Sequence, residues 1–233
     1  MCGDDIMRKR IVVCLECTSY DFLKKCHTPN IDSLNPHPAK SLGGMTRAAV
    51  PWLLGGFLPH CEVPGCPHNK GLRWSSPFYL SEWKRKSNLF LYIPNGWVLE
   101  FLTPFMTPEF RKKILYWHDR HAEQPTGQMI EDFLRIEPKL DSYFAYFHCM
   151  ETHPPFYPPG PVKEEKPGSP EWWERRKRAV EYVDRAIAPL LKLDVDDLVV
   201  TADHNIAYGD WNEDWFSVFL ATRIKGMKFP KIE

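Results

Sequence analysis

The sequence lacks a long hydrophobic run, a net charge and a dense cysteine pattern, and each absence excludes a class of protein. No stretch approaches the roughly 18 apolar residues of a membrane-spanning helix, so no membrane partner is expected. Thirty basic residues balance thirty acidic ones, which argues against nucleic-acid binding through a general positive charge. The seven cysteines are odd in number and scattered, so we expect mostly reduced thiols rather than a secreted disulfide scaffold.

The chain has enough apolar residues for one core of ordinary size. It contains 233 residues, of which 43% are hydrophobic, and we expect a single domain over 1–233. The apolar run from Ile11 to Leu15 is too short for a signal peptide and has charged neighbours, which predicts a cytoplasmic location. The 22 prolines predict long, stiff loops that carry the chemistry.

Apolar runs that break into polar residues predict the strands of a buried sheet. Such runs extend over 10–15, 142–148 and 197–201, and a further strand is predicted over 88–93. Polar residues follow three of these strands directly. In an open α/β sheet, ligands bind at the carboxyl ends of the strands.

Helical patterns separate these strands along the chain. Helices are predicted over 43–54, with an interruption at Pro51, and over 108–117, 127–134 and 171–191. The segment TPNIDSL predicts a turn that starts another helix. Alternation of strands and helices predicts an α/β fold, a three-layer αβα sandwich with a mostly parallel central sheet.

The polar residues at the predicted strand ends have side chains that bind metals. Glu16 follows the first strand, and Asp203 and His204 follow the last. Thr46 lies near the start of a predicted helix, where free backbone N–H groups attract anions. Oxygen and imidazole donors suit a borderline divalent ion such as zinc or manganese, which would activate a hydroxyl for attack on a phosphoryl group.

Further polar residues near these positions are candidates for substrate binding. His148 and His153 fall in the cluster HCMETHPPFYPP and are predicted to bind substrate oxygens or to protonate the leaving group. Arg47, beside Thr46, is predicted either to clamp a phosphate oxygen or to form a salt bridge.

Four segments, taken in order, resemble the alkaline phosphatase and sulfatase superfamily. They are similar above all to its phosphoethanolamine transferases and lipoteichoic acid synthases. The segments are IVVCLECTSYDFL with TPNIDSL, GGMTRAAVPWLLGGFLP, FHCMETHPPFYPP and VVTADHNIAYGD. The resemblance implies a metal-dependent hydrolase or transferase of a phosphate or phosphonate ester, with a small or conjugated substrate and a covalent phospho-enzyme intermediate.

The resemblance also implies a role for individual residues. It makes Thr46 the nucleophile, because the spacing to Gly56 and to the following Val50 and Pro51 is similar to the transferase pattern. It implies that His148 and His153 lie around the substrate or a second metal. It assigns the metal ligands to Glu16, Thr46, Asp203 and His204.

The departures from the family pattern limit what it implies. Asn205 stands where the family has glycine, and no histidine follows His204, so we expect one metal ion, zinc or manganese. A sulfatase is disfavoured, because Thr46 replaces the cysteine or serine that matures to formylglycine. The C-terminal subdomain of many members is expected to be mostly absent, and the lipid chemistry of the membrane-anchored transferases is not carried over.

Several alternatives remain open at this stage. The chain could be a catalytically degenerate metal- or anion-binding member of the fold. The segment HCEVPGCPH could hold a structural zinc ion, form a plain loop with free thiols or form a disulfide. If it holds zinc, the chain could instead be an interaction protein organised by that ion. The aromatic and basic run near Trp172 and Trp173 could bind bases or sugars, but we expect its tryptophans to face a core and its arginines to face water. The zinc loop would use His60, Cys61, Cys66 and His68, and the arginines are Arg175, Arg176 and Arg178.

Overall fold

A computed structural model describes most of the chain. It covers residues 8–41, 43–44, 46–55, 60–61, 72–73, 88–94, 125–156, 165–206 and 214–225. The predicted helix over 108–117 lies outside these residues. Within them, no helix is long and apolar enough to cross a bilayer.

The described part of the chain forms a central sheet and a separate short hairpin. The strands are β1 (Lys9–Leu15), β2 (His37–Lys40), β3 (His60–Cys61), β4 (Leu72–Arg73), β5 (Asn88–Tyr92), β6 (Tyr143–Cys149), β7 (Asp197–Thr201) and β8 (Ser217–Ile224). The sheet has the order β2-β8-β7-β1-β6-β5, and β3 pairs with β4.

The middle of the sheet is parallel and its far edge is not. Strand β1 pairs in parallel with β6 and β7, and β5 pairs in parallel with β6. Strand β8 is antiparallel to β7 and to β2. The predicted mostly parallel α/β sheet is therefore confirmed, with an antiparallel edge that the sequence did not predict.

Helices of very different length connect these strands. They are α1 (Tyr20–Leu23), α2 (Pro29–Asp32), α3 (Thr46–Gly55), α4 (Pro125–Ile136) and α5 (Pro170–Ile187). Short 3₁₀ turns cover Glu137–Lys139, Met150–Thr152 and Leu190–Lys192. The predicted interruption at Pro51 is wrong, since α3 continues through it to Gly55.

Alternate residues of the central strands pack into cores on opposite faces of the sheet. From β1, Ile11 and Val13 enter a core with residues of α4 and α5, including Phe133 and Val183. Cys14 instead enters a core with residues of α3, β5 and β6. Because side chains alternate along a strand, one apolar run supplies both faces. Helices therefore cover both faces, as the predicted three-layer sandwich requires.

The helix α5 differs from its prediction on one side. Trp172 is buried, as expected, but Arg175 is only 5% exposed and Arg176 is fully buried. The prediction that these two arginines face water is therefore wrong. The reason is that each finds acceptors, on the partly buried Glu165 for Arg175 and on the buried Cys17 and Asn205 for Arg176.

Candidate active site

Glu16 lies directly after β1 and is the centre of a buried polar cluster. Its Oε1 accepts a hydrogen bond from the Thr46 hydroxyl at 3.0 Å, and its Oε2 lies 2.9 Å from His148 Nε2. Burial raises the pKa of this carboxyl, but the hydrogen bond with His148 and the charges of the nearby histidines outweigh burial and lower the pKa to about 2. The group is therefore a carboxylate with both oxygens directed at other side chains of the cluster.

Thr46 is the first residue of α3, and its hydroxyl lies between two acceptors. Besides Glu16 Oε1, its Oγ1 is 3.1 Å from Nε2 of His204. The other ring nitrogen of His204, Nδ1, is 2.7 Å from the carbonyl oxygen of Asn205. A carbonyl only accepts, so Nδ1 carries a proton and donates to it, which leaves Nε2 as the ring nitrogen that faces Thr46.

Asp203 follows β7 and has one oxygen that is satisfied and one that is not. It is fully buried. Its Oδ1 accepts from the backbone N–H of Cys17 at 3.2 Å and of His204 at 2.9 Å. No donor in the described part of the chain makes a hydrogen bond to Oδ2, which lies 3.5 Å from His204 Nε2. A buried carboxylate oxygen without a donor is costly unless a cation is present.

Three distances among the donor atoms of the four predicted ligands are close to those of a metal site. In a tetrahedral zinc site with ligand bonds of about 2.0 Å, neighbouring ligand atoms lie roughly 3.3 Å apart. Here Thr46 Oγ1 is 3.0 Å from Glu16 Oε1 and 3.1 Å from His204 Nε2, which is 3.5 Å from Asp203 Oδ2. Most of these oxygen and nitrogen atoms offer a lone pair, and few of them carry a proton. The residues therefore fit a divalent cation.

Two groups of three side chains could also hold a metal. The donor atoms of Glu16, His148 and Asp203 lie within 4.8 Å of one another, and so do those of Glu16, Cys17 and His153. Both groups share Glu16, so they surround the same carboxylate as the predicted ligand set.

His148 is held at both ring nitrogens. It lies in β6, is fully buried, and contacts Glu16 through Nε2 and the hydroxyl of Tyr146 through Nδ1 at 2.9 Å. Burial lowers its pKa, but the hydrogen bond and charge of Glu16 outweigh burial and raise it above the ordinary value. This arrangement favours a role in orienting Glu16. The predicted contact of His148 with substrate stays a prediction.

His153 is the more accessible histidine of the cluster. Its side chain is 42% exposed, and Nε2 lies 3.7 Å from Glu16 Oε1. Nδ1 lies 2.7 Å from the Pro154 carbonyl oxygen and therefore donates to it. The Nε2 nitrogen is thus the one that faces the cluster.

Two contacts that support the site were missed by sequence reasoning. Tyr146 orients His148, and a signal for it exists, because residues two apart on a strand share a face. Glu151, in the turn between the two histidines, accepts hydrogen bonds from the backbone and the hydroxyl of Thr126 at 2.8 and 2.6 Å. No pattern in the sequence indicates this second contact.

Two predicted sites cannot be placed. The side chain of Arg47 lies outside the described residues, so its predicted phosphate contact stays a prediction. His60 and Cys61 form the strand β3, but their side chains, together with Cys66 and His68, also lie outside the description. The zinc loop therefore stays a prediction as well.

The chain is similar to solved structures, although no protein-family model and no curated protein matches it. The lipoteichoic acid synthase LtaP from Listeria monocytogenes matches with a TM-score of 0.62 at 13% identity, over 97% of this chain and 69% of that one. A protein of the alkaline phosphatase superfamily from Vibrio parahaemolyticus matches with a TM-score of 0.62 at 16% identity, over 95% of this chain and 61% of that one.

A third similar structure has also been determined as a complex with Zn. The C-terminal periplasmic domain of EcEptC from Escherichia coli matches with a TM-score of 0.58 at 14% identity, over 94% of this chain and 73% of that one, and so does its complex with Zn. The chain thus spans between 61% and 73% of the three matched chains. It has the fold of the alkaline phosphatase superfamily, and its fold resembles the branch that includes LtaP and EcEptC, as the sequence motifs predicted.

Proposed function

We propose that the protein is a metal-dependent phosphoric-ester hydrolase or phosphotransferase in which Thr46 is the nucleophile. The observation that carries this proposal is the position of the Thr46 hydroxyl, 3.0 Å from Glu16 and 3.1 Å from His204. It thus lies among the ligand atoms, at the N-terminal end of α3. An anionic substrate is favoured at such a helix end.

The residues would hold one divalent ion, zinc or manganese, through Glu16, Thr46, Asp203 and His204. Such an ion would supply a lower pKa for the threonine hydroxyl and charge screening for the phosphoryl group. The complex of EcEptC with Zn supports zinc as the first ion to test.

The reaction would proceed in two displacements at phosphorus. Thr46 Oγ1 releases its proton to solvent and forms a bond to phosphorus while the bond to the ester oxygen breaks. The leaving oxygen takes up a proton, so the products are a phosphothreonine and an alcohol. Water or an acceptor hydroxyl then attacks the phosphothreonine and restores the threonine. Water as acceptor makes the protein a hydrolase, and an alcohol as acceptor makes it a transferase.

The two histidines near Glu16 would have different roles, proton transfer for His153 and orientation of Glu16 for His148. His153 is partly exposed beside Glu16, and when protonated it would deliver a proton to the leaving oxygen. In the second step it would accept a proton from the attacking group. His148 would keep Glu16 oriented through its Nε2, and direct contact with substrate oxygens is a second role proposed for it.

The substrate class follows from the same chemistry. We propose a small or conjugated phosphate or phosphonate ester. A sulfate ester is disfavoured, because threonine replaces the residue that matures to formylglycine in sulfatases. A cytoplasmic location is also proposed, and it rests on the sequence alone. The matched EcEptC domain, in contrast, is periplasmic.

The test compares two substitutions of the nucleophile. Thr46→Val keeps the shape of the side chain and removes the hydroxyl, and Thr46→Ser keeps the hydroxyl. We expect zinc- or manganese-dependent hydrolysis of p-nitrophenyl phosphate, its bis-ester or a phosphonate monoester. Thr46→Val should lose it by about a thousand-fold or more, while Thr46→Ser retains measurable turnover. Rapid acid quenching followed by mass spectrometry should find phosphate on Thr46.

Two results would count against the proposal. Turnover that persists in Thr46→Val would remove the threonine from the chemistry. A wild-type protein that binds metal but turns over no ester would favour the non-catalytic metal- or anion-binding protein instead.

A further inference from the structure

Arg176 is a fully buried cation in the middle of α5. Its guanidinium carbon lies 3.9 Å from the centre of the Phe22 ring and 5.3 Å from that of Trp173. Removing a guanidinium from water is costly, so a chain keeps one in its interior when specific acceptors compensate for the loss. The acceptors of Arg176 are therefore informative.

A single nitrogen of Arg176 contacts both loops that carry predicted metal ligands. Its Nη2 donates to the carbonyl oxygen of Cys17 at 2.8 Å and to Oδ1 of Asn205 at 3.2 Å. Cys17 directly follows Glu16, and Asn205 directly follows His204. The guanidinium thus bridges the loop after β1 and the loop after β7.

The backbone of Cys17 needs such support. Its φ is 59°, in the left-handed region that residues with a side chain rarely adopt. The N–H of Cys17 donates to Asp203 Oδ1 at 3.2 Å, and its carbonyl accepts from Arg176. Cys17 is therefore held on one side by a predicted ligand and on the other by Arg176, and its conformation sets the course of the chain directly after Glu16.

Asn205 completes the link on the other loop. Its side chain accepts from Arg176, while its backbone carbonyl lies 2.7 Å from Nδ1 of His204. Fixing Asn205 therefore also fixes the hydrogen bond that directs Nε2 of His204 towards Thr46.

We propose that Arg176 and Asn205 are positioning residues that set the spacing between Glu16 and the pair Asp203 and His204. This inference rests on the proposed function, because it assumes that these residues bind the metal. Outer partners of metal ligands commonly change metal affinity by about 10- to 100-fold when they are removed. We expect an effect of that size here, without any direct contact between Arg176 and the substrate.

The decisive measurement is metal affinity in variants of this pair. Zinc and manganese affinities are measured by competition with a chromophoric chelator, alongside the melting temperature of the metal-free protein. Asn205→Ala removes one acceptor of Arg176, and we expect it to weaken metal binding by about 10-fold or more. In an Arg176→Lys background, the same change should have a much smaller effect, because the link is already altered.

A matched control lies next to Arg176 on the same helix. Arg175 is also buried, but it bonds Glu165, through Nε at 2.8 Å and Nη2 at 2.7 Å. We expect both Arg175→Met and Arg176→Met to lower the melting temperature, whereas only Arg176→Met weakens metal binding. If Arg176→Met does not fold, Asn205→Ala decides the question.

The outcomes separate this inference from the proposed function. If the wild-type protein binds metal and Asn205→Ala binds it equally well, Arg176 and Asn205 have only a structural role and the inference is wrong. Equal losses of affinity in the Arg175 and Arg176 variants would also overturn it. A wild-type protein that binds neither metal would overturn the proposed function, and the inference with it.

Discussion

Glu151 supports the turn between His148 and His153, and its replacement should lower the free energy of unfolding. Both oxygens of this buried carboxylate accept from Thr126, at 2.8 Å from the backbone N–H and 2.6 Å from the hydroxyl. Thr126 is fully buried as well. Glu151→Ala leaves two buried donors without an acceptor, at about 1–3 kcal/mol each. We therefore expect a loss of about 2–6 kcal/mol in the free energy of unfolding.

This loss can be expressed as a melting temperature. For a chain of this size, each kcal/mol corresponds to roughly 2–4 °C, so a loss of about 2–6 kcal/mol should make Glu151→Ala melt roughly 4–24 °C below wild type. Glu151→Gln is the matched control, because its amide oxygen accepts from the Thr126 N–H and its NH₂ group can donate to the hydroxyl oxygen. We expect this variant to stay within about 1 kcal/mol of wild type near pH 5.

The pH dependence gives this prediction a definite sign. Burial raises the pKa of Glu151 above its ordinary 4.5, and the hydrogen bonds from Thr126 oppose this only in part. The folded protein therefore binds the Glu151 proton more tightly than the unfolded chain does. Its contribution to stability is full below pH 4.5 and is lost as the pH rises through the folded pKa. Wild type should thus lose stability relative to Glu151→Gln as the pH rises.

Denaturant unfolding of the metal-free proteins between pH 4 and pH 8 measures both effects. A Glu151→Ala variant within about 0.5 kcal/mol of wild type would refute the reasoning about buried donors, since surface changes have effects of that size. A wild type that gains stability relative to Glu151→Gln with rising pH would refute the sign.

Two further predictions concern hydrogen bonds, one at His148 in the candidate active site and one at the start of helix α2. Tyr146→Phe leaves Nδ1 of His148 without its partner at 2.9 Å. In steady-state kinetics, kcat should therefore fall about 10-fold while KM changes little. Equal kcat values for the variant and wild type would contradict this prediction. Asp184 accepts from both nitrogens of Asn30 and from the N–H of Ile31, at 3.3, 2.9 and 2.8 Å. Asp184→Ala should therefore lower the free energy of unfolding by about 2–5 kcal/mol in denaturant titrations. A loss below about 1 kcal/mol would show that the hydrogen bonds from Asn30 and Ile31 to Asp184 are dispensable.

The parts of the fold that the sequence predicted well are its buried parallel strands. The run over 197–201 matches β7 residue for residue, and the run over 10–15 misses β1 only by Lys9. Strands buried on both faces consist almost entirely of apolar residues, so their ends are visible where polar residues begin. The same contrast located Glu16, Asp203 and His204 at the edge where the cluster lies.

The edge of the sheet was missed for the opposite physical reason. Strand β2 has the sequence HPAK with half-buried or exposed residues throughout, and β8 mixes buried and exposed positions. The β2 pattern is not distinguishable from a loop without knowledge of the neighbouring strand, whereas the Val, Phe, Thr and Ile residues of β8 do favour a strand. Pairing between distant segments determines such edge strands, and the sequence alone does not show which segments pair.

The buried arginine was missed because charge usually indicates exposure. Arg176 looks like part of a solvated helix face, and only the three-dimensional structure brings Cys17 and Asn205 to it. The contact with Arg176 is a structural explanation for the asparagine at position 205. A glycine at that position offers no side-chain acceptor.

The order of strands in the sheet also constrains how the site can form during synthesis. Strand β1 is central, yet Val13 pairs with Phe147 on one side and Val200 on the other. A chain emerging from a ribosome therefore carries Glu16 and Thr46 long before His148, Asp203 and His204 have been made. Contacts between such distant segments slow folding, since long loops must close first. Strand β1 must consequently remain without both of its neighbours in the sheet until β7 has been made.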